Sequence, residues 1–513
     1  MKLLHYISSP CSSAVAASLC LLLHCTAYTQ IDTMCGIAWE PRIHLSADYP
    51  HYYNFSARLA LDSTDKNIIH CTWWVWRDTP TLPYIRSTNG GVSFSPAVNL
   101  FEHTGSQLAR DAEITIIHDT VYVFWQDPEC DSCHPYILRF RKNLGAINDW
   151  SPITNIYDSV LVRWNFCVTG DTIIFSAIPK SPEPLKLLRT TNLGNDWTYS
   201  PRVLSAEPPG FTFANNALHL SKRWGVSGIS EFEMFYQKST DLGDTWIDSL
   251  PISAIDSNHN TATQSISSDG GMKLNITWGD TKYGCMGLSG CSILGRYSTT
   301  GGESWEEEYL LTEHPVGMVS RSAYTGEKLI VAWGVDSMFF GGIQAGISYN
   351  AGADWCTPMY ISEDGGEPHI IITSSYVFLA WEEFDTTLQT WQLYGRRGTF
   401  ITTSVPEEEY HPLRIALEQN YPNQFNPTTT IKFSIPLLPP LQRGTGGFVT
   451  LKIYNIYGQE VATLINNKQM EAGEHSVEWN AEKFPGGMYF YRLTVINGNN
   501  QTTSLTKKII VMK

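Results

Sequence analysis

Acidic residues follow a tryptophan at the ends of several apolar runs, and arginines recur near the starts of other strand-like segments. The acidic residues are Asp78, Asp127, Asp280, Asp336 and Glu382, the last followed by Glu383. The arginines are Arg58, Arg110, Arg163 and Arg321. Two carboxyl groups held about 5–10 Å apart perform acid/base chemistry on glycosidic bonds, and guanidinium groups bind acidic groups. These residues are therefore the candidate catalytic and ligand-binding groups.

A structural explanation competes with this chemistry. An acid placed just after a tryptophan ends a strand and caps the following loop, without any catalytic role. Aromatic residues in the same loops would either stack on sugar rings or belong to the core. They are Tyr49, His51, Tyr52, Tyr53, Trp164, Phe211 and Phe213. The catalytic residues therefore stay unassigned at this level.

An eight-residue motif, here called the box, recurs along the chain. Boxes begin at Ser87, Thr190, Ser239, Ser298 and Ser348, with a longer degenerate copy at Arg141. Their third residues are Asn89, Asn192, Asp241, Thr300 and Asn350, and their closing aromatics are Phe94, Trp150, Trp197, Trp246, Trp305 and Trp355. An Asn or Asp side chain at position three accepts hydrogen bonds from backbone N–H groups two residues further along the chain. Glycine at position five can take a positive φ, and the tryptophan at position eight folds its ring back over the turn. The box thus predicts a turn and no catalytic group.

The closing aromatics are 47 to 59 residues apart, which is the length of one propeller blade. Seven sets of three strands are predicted, beginning near Asn54, Ala112, Val162, Thr212, Gln264, Met318 and His369. The seventh set lacks a fourth strand, and the segment from Ile37 to Ser46 would supply it from the N-terminus. We therefore predict an all-β, seven-bladed propeller over residues 31–403, with six blades as the alternative.

The boxes resemble the Asp-box (BNR) repeat of sialidases and related propellers. This resemblance implies the fold, but Asp-box propellers include both enzymes and proteins without activity. Sialidases carry an Arg-Ile-Pro motif, and the nearest match here is Arg42-Ile43-His44 in the predicted closing strand. True sialidase activity is therefore not expected. Because the box joins the third strand to the fourth, it marks the face opposite the one where propellers usually bind ligands.

Charge and cysteines limit the partners. The net charge of -15 argues against a nucleic-acid partner. Residues 1–30 have the layout of a secretory signal, and no later segment is long enough to cross a membrane as a helix. Eight cysteines remain after its removal, and both Cys130/Cys133 and Cys285/Cys291 are close enough to pair locally. The single C-x-x-C is weak evidence for a metal, so no metal or cofactor is predicted.

The composition changes after an acidic linker at residues 404–415. Residues 416–513 alternate apolar residues with turn-rich breaks, which predicts a small Ig-like β-sandwich. Asn420-Tyr421-Pro422-Asn423, the run from Tyr454 to Val461 and the terminal lysines resemble the type A C-terminal sorting domain of the type IX secretion system. The resemblance implies the secretion machinery as a partner. It also implies export through the periplasm to the outer surface or the medium.

Three functions remain open. The first is binding of an extracellular glycan or glycoprotein by the propeller. The second is a sialidase-like glycoside hydrolase acting on polysaccharide with carboxylates of the central funnel. The third is a structural surface protein without catalysis. An enzyme would show two close carboxyl groups, one of them buried with a raised pKa, whereas a binder would show exposed aromatics.

Overall fold

The computed structural model describes most of the chain, and every element that it describes is a β-strand. The described residues are 32–76, 81–101, 110–128, 136–178, 185–200, 209–225, 232–254, 261–282, 291–316, 320–335, 341–401, 415–435, 448–470, 473–496 and 502–512. Asp78 and Asp336 lie outside these ranges. The same is true of the predicted secretory signal at residues 1–30.

Twenty-nine strands precede the residues of the predicted linker. The first ten are β1 (Asp32–Met34), β2 (Ile37–Trp39), β3 (Ile43–His44), β4 (Tyr53–Leu61), β5 (Ile69–Trp76), β6 (Pro83–Ser87), β7 (Val98–Asn99), β8 (Arg110–Ile117), β9 (Thr120–Pro128) and β10 (Tyr136–Lys142). The next ten are β11 (Thr154–Thr169), β12 (Thr172–Ile178), β13 (Lys186–Thr190), β14 (Thr198–Tyr199), β15 (Gly210–Ala214), β16 (Ala217–Gly225), β17 (Phe232–Ser239), β18 (Leu250–Pro251), β19 (Thr261–Ser268) and β20 (Leu274–Asp280). The last nine are β21 (Cys291–Ser298), β22 (Tyr309–Val316), β23 (Ser320–Thr325), β24 (Lys328–Gly334), β25 (Ile343–Ser348), β26 (Met359–Ser362), β27 (Gly366–Ile372), β28 (Tyr376–Asp385) and β29 (Thr390–Phe400).

These strands pair as antiparallel units of four, here called blades and numbered along the chain. Blades 1, 4, 5 and 6 are separate sheets formed by β4–β7, β15–β18, β19–β22 and β23–β26. Blades 2 and 3 share the long strand β11, whose first half pairs with β10 and whose second half pairs with β12. Blade 7 consists of β27, β28 and β29 together with β2. In the described part of the chain, the first strands β4, β8, β11, β15, β19, β23 and β27 contact one another in this order, and β27 contacts β4.

The N-terminal segment closes this ring, as its apolar pattern predicted. Ile37 pairs with Phe400 and Trp39 with Gly398, so β2 lies antiparallel to the last strand of blade 7. Trp39 is 1% exposed and donates its indole N–H to Sδ of Met359 at 3.2 Å in blade 6. Strand β3 pairs with the same edge. Closure by a strand from the opposite end of the chain gives blade 7 its fourth strand and covers the outer edge of β29.

Five of the second strands each bury a tryptophan. Trp73, Trp125, Trp278, Trp333 and Trp381 are all fully buried. Each of these strands is covered on both faces by neighbouring blades, so its polar as well as its apolar residues are mostly buried. This packing is the core that holds the first strands around the centre.

Residues after 414 form two further sheets. Their strands are β30 (Ala416–Leu417), β31 (Gln424–Phe425), β32 (Thr428–Ile435), β33 (Phe448–Asn455), β34 (Glu460–Gln469), β35 (Gly473–Asn480), β36 (Gly487–Ile496) and β37 (Thr502–Val511). One sheet has the order β30-β32-β35 and the other β31-β37-β36-β33-β34, with one parallel pair between β31 and β37. The two sheets enclose one apolar core that contains Ile431, Trp479 and Tyr491. The predicted sandwich is thus present, although it is not wholly antiparallel.

Candidate functional site

The tryptophan–acid pattern has a structural cause wherever both side chains are described. The indole N–H of Trp278 donates to Oδ2 of Asp280 at 2.9 Å, and that of Trp381 donates to Oε2 of Glu383 at 3.3 Å. Asp280 also accepts the N–H of Lys282 at 2.9 Å and is fully buried. A buried indole N–H needs an acceptor, and an acid two residues later on the same face of the strand supplies it. Asp280 therefore has structural hydrogen-bond partners, and the catalytic role considered for it stays a prediction.

Glu382 points to the other face of strand β28 and belongs to a different environment. It is 4% exposed, and its Oε1 accepts the backbone N–H of Ser56 at 2.9 Å. Its carboxyl group is also hydrogen-bonded to that of Glu367. Glu367 directly follows Gly366, which pairs with Glu382 between strands β27 and β28. Such a bond requires a proton on one of the two groups. Burial, and then the charge of Glu367, raise the pKa of Glu382 well above its ordinary value.

Four further ionisable residues lie at equivalent positions on the first strands. Arg58, Glu113, Arg321 and His369 each pair with the residue that precedes the buried tryptophan of the second strand. They therefore occupy one layer around the centre of the ring. Nε of Arg58 lies 2.8 Å from Oε1 of Glu113, which joins blades 1 and 2 by an ion pair. Together with Glu367 and Glu382, these residues are here called the channel cluster.

The electrostatics of the channel cluster are governed by burial and by repulsion between cations. Burial, and then the charge of Arg58, lower the pKa of Arg321. Burial and the two arginines hold the pKa of His369 well below its ordinary value, so its ring is neutral at pH 7. The Nδ1 atom of His369 is buried without a hydrogen-bond partner. The described cluster thus combines two guanidinium groups, a neutral imidazole and the carboxyl groups of Glu113, Glu367 and Glu382.

Two residues at this site have a backbone conformation that L-amino acids rarely adopt. Ser56 has a φ of 55° and Glu367 a φ of 48°, and both lie where the pairing register shifts. Such bulges re-aim side chains, and strained non-glycine residues concentrate at functional sites. Here the two bulges bring the N–H of Ser56 and the carboxyl group of Glu367 onto Glu382. Sequence reasoning missed Glu113, Glu367 and His369, because a bulge changes which residues share a face without leaving a pattern in the sequence.

The structure brings together some of the predicted residues and says less about others. Arg58, Arg321 and Glu382 meet in the channel cluster. Three other candidates lie in described strands, but their side chains lie outside the description; they are Arg110 in β8, Asp127 in β9 and Arg163 in β11. The roles considered for these three residues therefore stay predictions.

An aromatic group lies where β4 begins and β5 ends, on the face away from the boxes. Tyr53 pairs with Trp76 across the two strands, and their ring centroids are 6.1 Å apart. Phe55 stacks beside Tyr53 at 6.2 Å and contacts Trp74 at 4.8 Å. Trp391 of blade 7 contacts Phe55 at 6.4 Å. These five residues are here called the aromatic ledge, of which Trp76 is 57% and Tyr53 41% exposed.

Two of the predicted stacking aromatics lie elsewhere. Phe211 and Phe213 line a separate cavity of about 550 Å³ between blades 2, 3 and 4, next to His118 in the turn that ends β8. The turn that contains His118 is on the same face of the ring as the boxes, because the boxes contact the turns between first and second strands. In blade 3, for example, the N–H of Leu193 in the box donates to the carbonyl oxygen of Asp171 in such a turn. Phe211 is only 6% exposed. These two residues therefore do not belong to the aromatic ledge.

The boxes are turns that join the third strand of a blade to its fourth. In the box at Ser239, the N–H of Gly243 donates to Oγ of Ser239 at 2.8 Å, and the N–H of Thr245 donates to Oδ1 of Asp241 at 2.9 Å. Position three thus bonds the N–H four residues on and not two, because the first residue of the box already accepts the nearer N–H. Asn89, Asn192, Thr300 and Asn350 accept the equivalent N–H at 2.8–3.0 Å.

The tryptophans of the boxes fold back over their turns. Nε1 of Trp197 donates to the carbonyl oxygen of Gly194 at 3.1 Å, and Nε1 of Trp355 donates to that of Gly352 at 3.0 Å. Trp246 and Trp305 pack beside the cores of blades 4 and 5. The hydroxyl group and the backbone N–H of Thr245 donate hydrogen bonds to Asp241, and these bonds lower the pKa of Asp241 to about 2. The first and third residues of the box at Ser239 therefore have hydrogen-bond partners within the turn itself.

Two further observations concern metals and membranes. Within the ranges that the structure describes, no group of three or more His, Cys, Asp or Glu side chains is arranged to hold a metal ion. The described part of the chain also contains no helix of the length and apolarity that a membrane span requires.

Comparison with known proteins gives one family match and several structural likenesses. No curated protein matches the chain. A protein of unknown function from Dyadobacter fermentans has 14% identity and a TM-score of 0.42, covering 71% of this chain and 99% of that one. An α-L-arabinofuranosidase of Fusarium graminearum has 10% identity and a TM-score of 0.41, covering 68% and 93%. A Trypanosoma rangeli sialidase has 10% identity and a TM-score of 0.45, covering 88% and 83%.

The family match falls on the last two sheets. Residues 419–512 match the model of the secretion system C-terminal sorting domain. Within it, the motif at Asn420 has a clear structural role, because its side chain donates to the carbonyl oxygen of Pro422 at 2.7 Å and its N–H donates to Tyr491 Oη at 3.0 Å. Residues 419–512 are therefore a type IX secretion sorting domain, and the protein is exported to the cell surface or beyond it.

Proposed function

We propose that this exported protein binds an extracellular glycan, either free or carried by a glycoprotein, on the aromatic ledge at the mouth of the ring. The single observation that carries the proposal is the exposure of Trp76 and Tyr53 at 57% and 41%. Large rings that cost free energy to leave in water are usually buried, so an exposed pair beside a channel marks a binding surface. Sugar rings present C–H faces to such rings and hydroxyl groups to polar neighbours.

The aromatic ledge is also suited to this role by its rigidity. Phe55 supports Tyr53 from one side, and Trp391 of blade 7 supports Phe55. Asn54, fully buried beneath them, donates its side-chain amide to the carbonyl oxygens of Tyr52 at 2.8 Å and Tyr49 at 3.1 Å. A rigid stacking surface loses little conformational entropy on binding. The ledge is therefore preorganised for a flat ligand face.

Glycan-array binding by the purified full chain tests this proposal. We expect Tyr53→Ala and Trp76→Ala each to reduce affinity about tenfold, since an aromatic contact contributes about 0.5–1.5 kcal/mol. Tyr360→Ala is the matched control, because Tyr360 is 50% exposed but lies on the outer strand β26. If the wild type binds a glycan and the ledge variants bind it equally well, the binding surface is elsewhere.

Cleavage of a glycan is the second candidate function, and the carboxyl pair of Glu367 and Glu382 favours it. A carboxyl group with a raised pKa is suited to act as a general acid. Glu382 is only 4% exposed, whereas Trp76 of the aromatic ledge is 57% exposed, and this difference makes binding on the ledge the better-supported function.

Release of reducing sugar from a panel of polysaccharides tests the second candidate. Turnover that is lost in Glu382→Gln and kept in Asp280→Asn would assign catalysis to the channel cluster. The two variants are informative together because both acids are buried, whereas only Glu382 lies in the cluster. Absence of turnover on every substrate, together with retained glycan binding, would exclude the catalytic function for that panel.

A further inference from the structure

Cys35 occupies a turn that normally selects other residues. Strands β1 and β2 form a hairpin in which Met34 pairs with Ile37, so the connection consists of Cys35 and Gly36 alone. Both have positive φ, at 52° and 70°. Two-residue hairpin turns of this kind favour Asn-Gly or Asp-Gly, because most other side chains are strained in the left-handed region. A cysteine here carries a conformational cost that its role in the turn does not explain.

The hairpin turn lies against the last box, in blade 6. Tyr349 Oη donates to the carbonyl oxygen of Cys35 at 2.6 Å. The thiol of Cys35 donates to the carbonyl oxygen of Thr357, with 3.6 Å between sulfur and oxygen. Thr357 directly follows Cys356, which in turn follows the closing tryptophan of that box. The turn thus brings Cys35 to the residues around Cys356, although the two are separated by 320 residues of chain.

The two cysteines also share one apolar cluster. Cys356 is 4% exposed inside the core between blades 6 and 7, and Cys35 packs against this core. The other cysteines with described side chains lie apart from them: Cys71 belongs to the core between blades 7 and 1, and Cys167 to that between blades 3 and 4. In this described set, Cys35 and Cys356 are therefore the pair that the fold places together.

We propose that Cys35 and Cys356 form a disulfide bond when the chain is exported, and that this bond locks the closing strand onto blade 6. Exported chains meet an oxidising environment, where thiols placed together become disulfides. The reaction is an exchange with the disulfide of a thiol–disulfide oxidoreductase. One thiolate attacks that disulfide, the second resolves the mixed disulfide, and the oxidant leaves as a dithiol that has gained two electrons and two protons.

The bond would act where the two ends of the propeller meet. Blade 7 is completed by β2 and β3 from the opposite end of the chain, whereas every other blade is completed by a strand that directly follows in sequence. Detachment of β2 and β3 would therefore remove the outer closure of the ring. A covalent link from Cys35 to the neighbouring blade prevents its detachment and restricts the unfolded chain over a very long loop.

Peptide mapping of the full chain secreted from cells tests the proposal. The protein is denatured without reductant, alkylated, digested and analysed by mass spectrometry. We expect a linked pair of peptides containing Cys35 and Cys356, two hydrogens lighter than their sum, which separates after reduction. Alkylated Cys35 and Cys356 in the secreted protein, or a link from either residue to a different cysteine, would overturn the proposal.

Thermal unfolding with and without reductant gives an independent measurement. We expect reductant to lower the melting temperature of the wild type by about 5 °C. Cys35→Ala and Cys356→Ala should remove this sensitivity, and each should melt near the reduced wild type. Cys71→Ala is the matched control, because it changes a buried thiol in a different core and should leave the reductant effect in place. Equal sensitivity of Cys35→Ala and the wild type would contradict the proposal.

Discussion

The backbone N–H of Ser56 donates to Oε1 of Glu382 at 2.9 Å, which links the first strand of blade 1 to the second strand of blade 7. The contact joins the two ends of the ring at its centre, close to the place where the N-terminal strand closes it outside. Ser56 holds a positive φ of 55° in making it. The same carboxyl group is hydrogen-bonded to Glu367. Glu382 thus connects ring closure with the charge balance of the channel cluster.

The shared proton predicts a pH dependence. The pKa of Glu382 is raised in the folded state, so the folded chain holds a proton that the unfolded chain releases above about its ordinary value of 4.5. The wild type should therefore lose stability relative to Glu382→Gln as the pH rises above 4.5, since glutamine cannot acquire the second negative charge. Melting temperatures measured across this range check the prediction. Glu327→Gln, which changes an exposed carboxylate, should follow the wild type, and a constant difference between Glu382→Gln and wild type would refute it.

Asp241 predicts the opposite dependence at low pH. Hydrogen bonds within its box lower its folded pKa to about 2, so its contribution to stability is present above its unfolded pKa and is lost as the pH falls towards 2. Asparagine occupies the same position in three other boxes and makes the same bond to the backbone. Asp241→Asn should therefore match the wild type at neutral pH and lose less stability between pH 4 and 2. A large loss at neutral pH would show that the carboxylate has a further role.

Two glycines with positive φ should be intolerant to substitution for separable reasons: Gly302 lies in the box that begins at Ser298, and Gly170 lies in the turn between β11 and β12. Gly302 has a φ of 83°, and a Cβ there would lie 1.9 Å from Oη of Tyr236 in the preceding blade. Gly170 has a φ of 54°, but a Cβ there would meet no atom within 4 Å. We expect Gly170→Ala to cost about 1 kcal/mol from backbone strain and Gly302→Ala about 3 kcal/mol or more from strain and overlap. Denaturant unfolding measures both, and equal costs would mean that Tyr236 moves aside freely.

The closing strand should contribute strongly to stability through one side chain. Trp39 is 1% exposed and packs between blades 6 and 7, whereas Trp76 is 57% exposed. Trp39→Ala should cost about 3–5 kcal/mol, and Trp76→Ala less than about 1 kcal/mol. Denaturant unfolding of both variants under the same conditions provides the comparison. Similar costs would show that β2 is not needed to keep the ring closed.

Export should depend on the C-terminal sheets. Removal of residues 416–513 deletes the sorting domain at residues 419–512 and leaves the blades intact. In a bacterium with type IX secretion, the truncated chain should accumulate inside the outer membrane and be absent from the surface and the medium. Immunoblots of cell fractions measure this, with the full-length chain as the control. Surface location of the truncated chain would reveal a second export signal.

Much of the fold is readable from local patterns. The box turns, the buried tryptophan strands and the sorting domain all follow from short-range chemistry: a glycine that takes a positive φ, an apolar run, a motif that bonds its own backbone. The closing role of the segment near Ile37 is also predictable, because blade 7 lacks a fourth strand in the sequence. The fusion of blades 2 and 3 through β11 is not predictable, because β11 passes from one sheet to the next without a glycine or a proline to mark the change.

The candidate site shows the limit of such reasoning. The repeating strands, the turns between them and the sorting domain are predictable because each depends on residues close together in the chain. The contacts between blades are not: Asp280 accepts a buried indole N–H while Glu382 faces the channel, Glu113, Glu367 and His369 join Arg58 and Arg321, and Cys35 packs against the core that contains Cys356. The physical reason is that bulges and ring closure set which residues from distant blades face one another. Neither leaves a mark on the local pattern of apolar and polar residues.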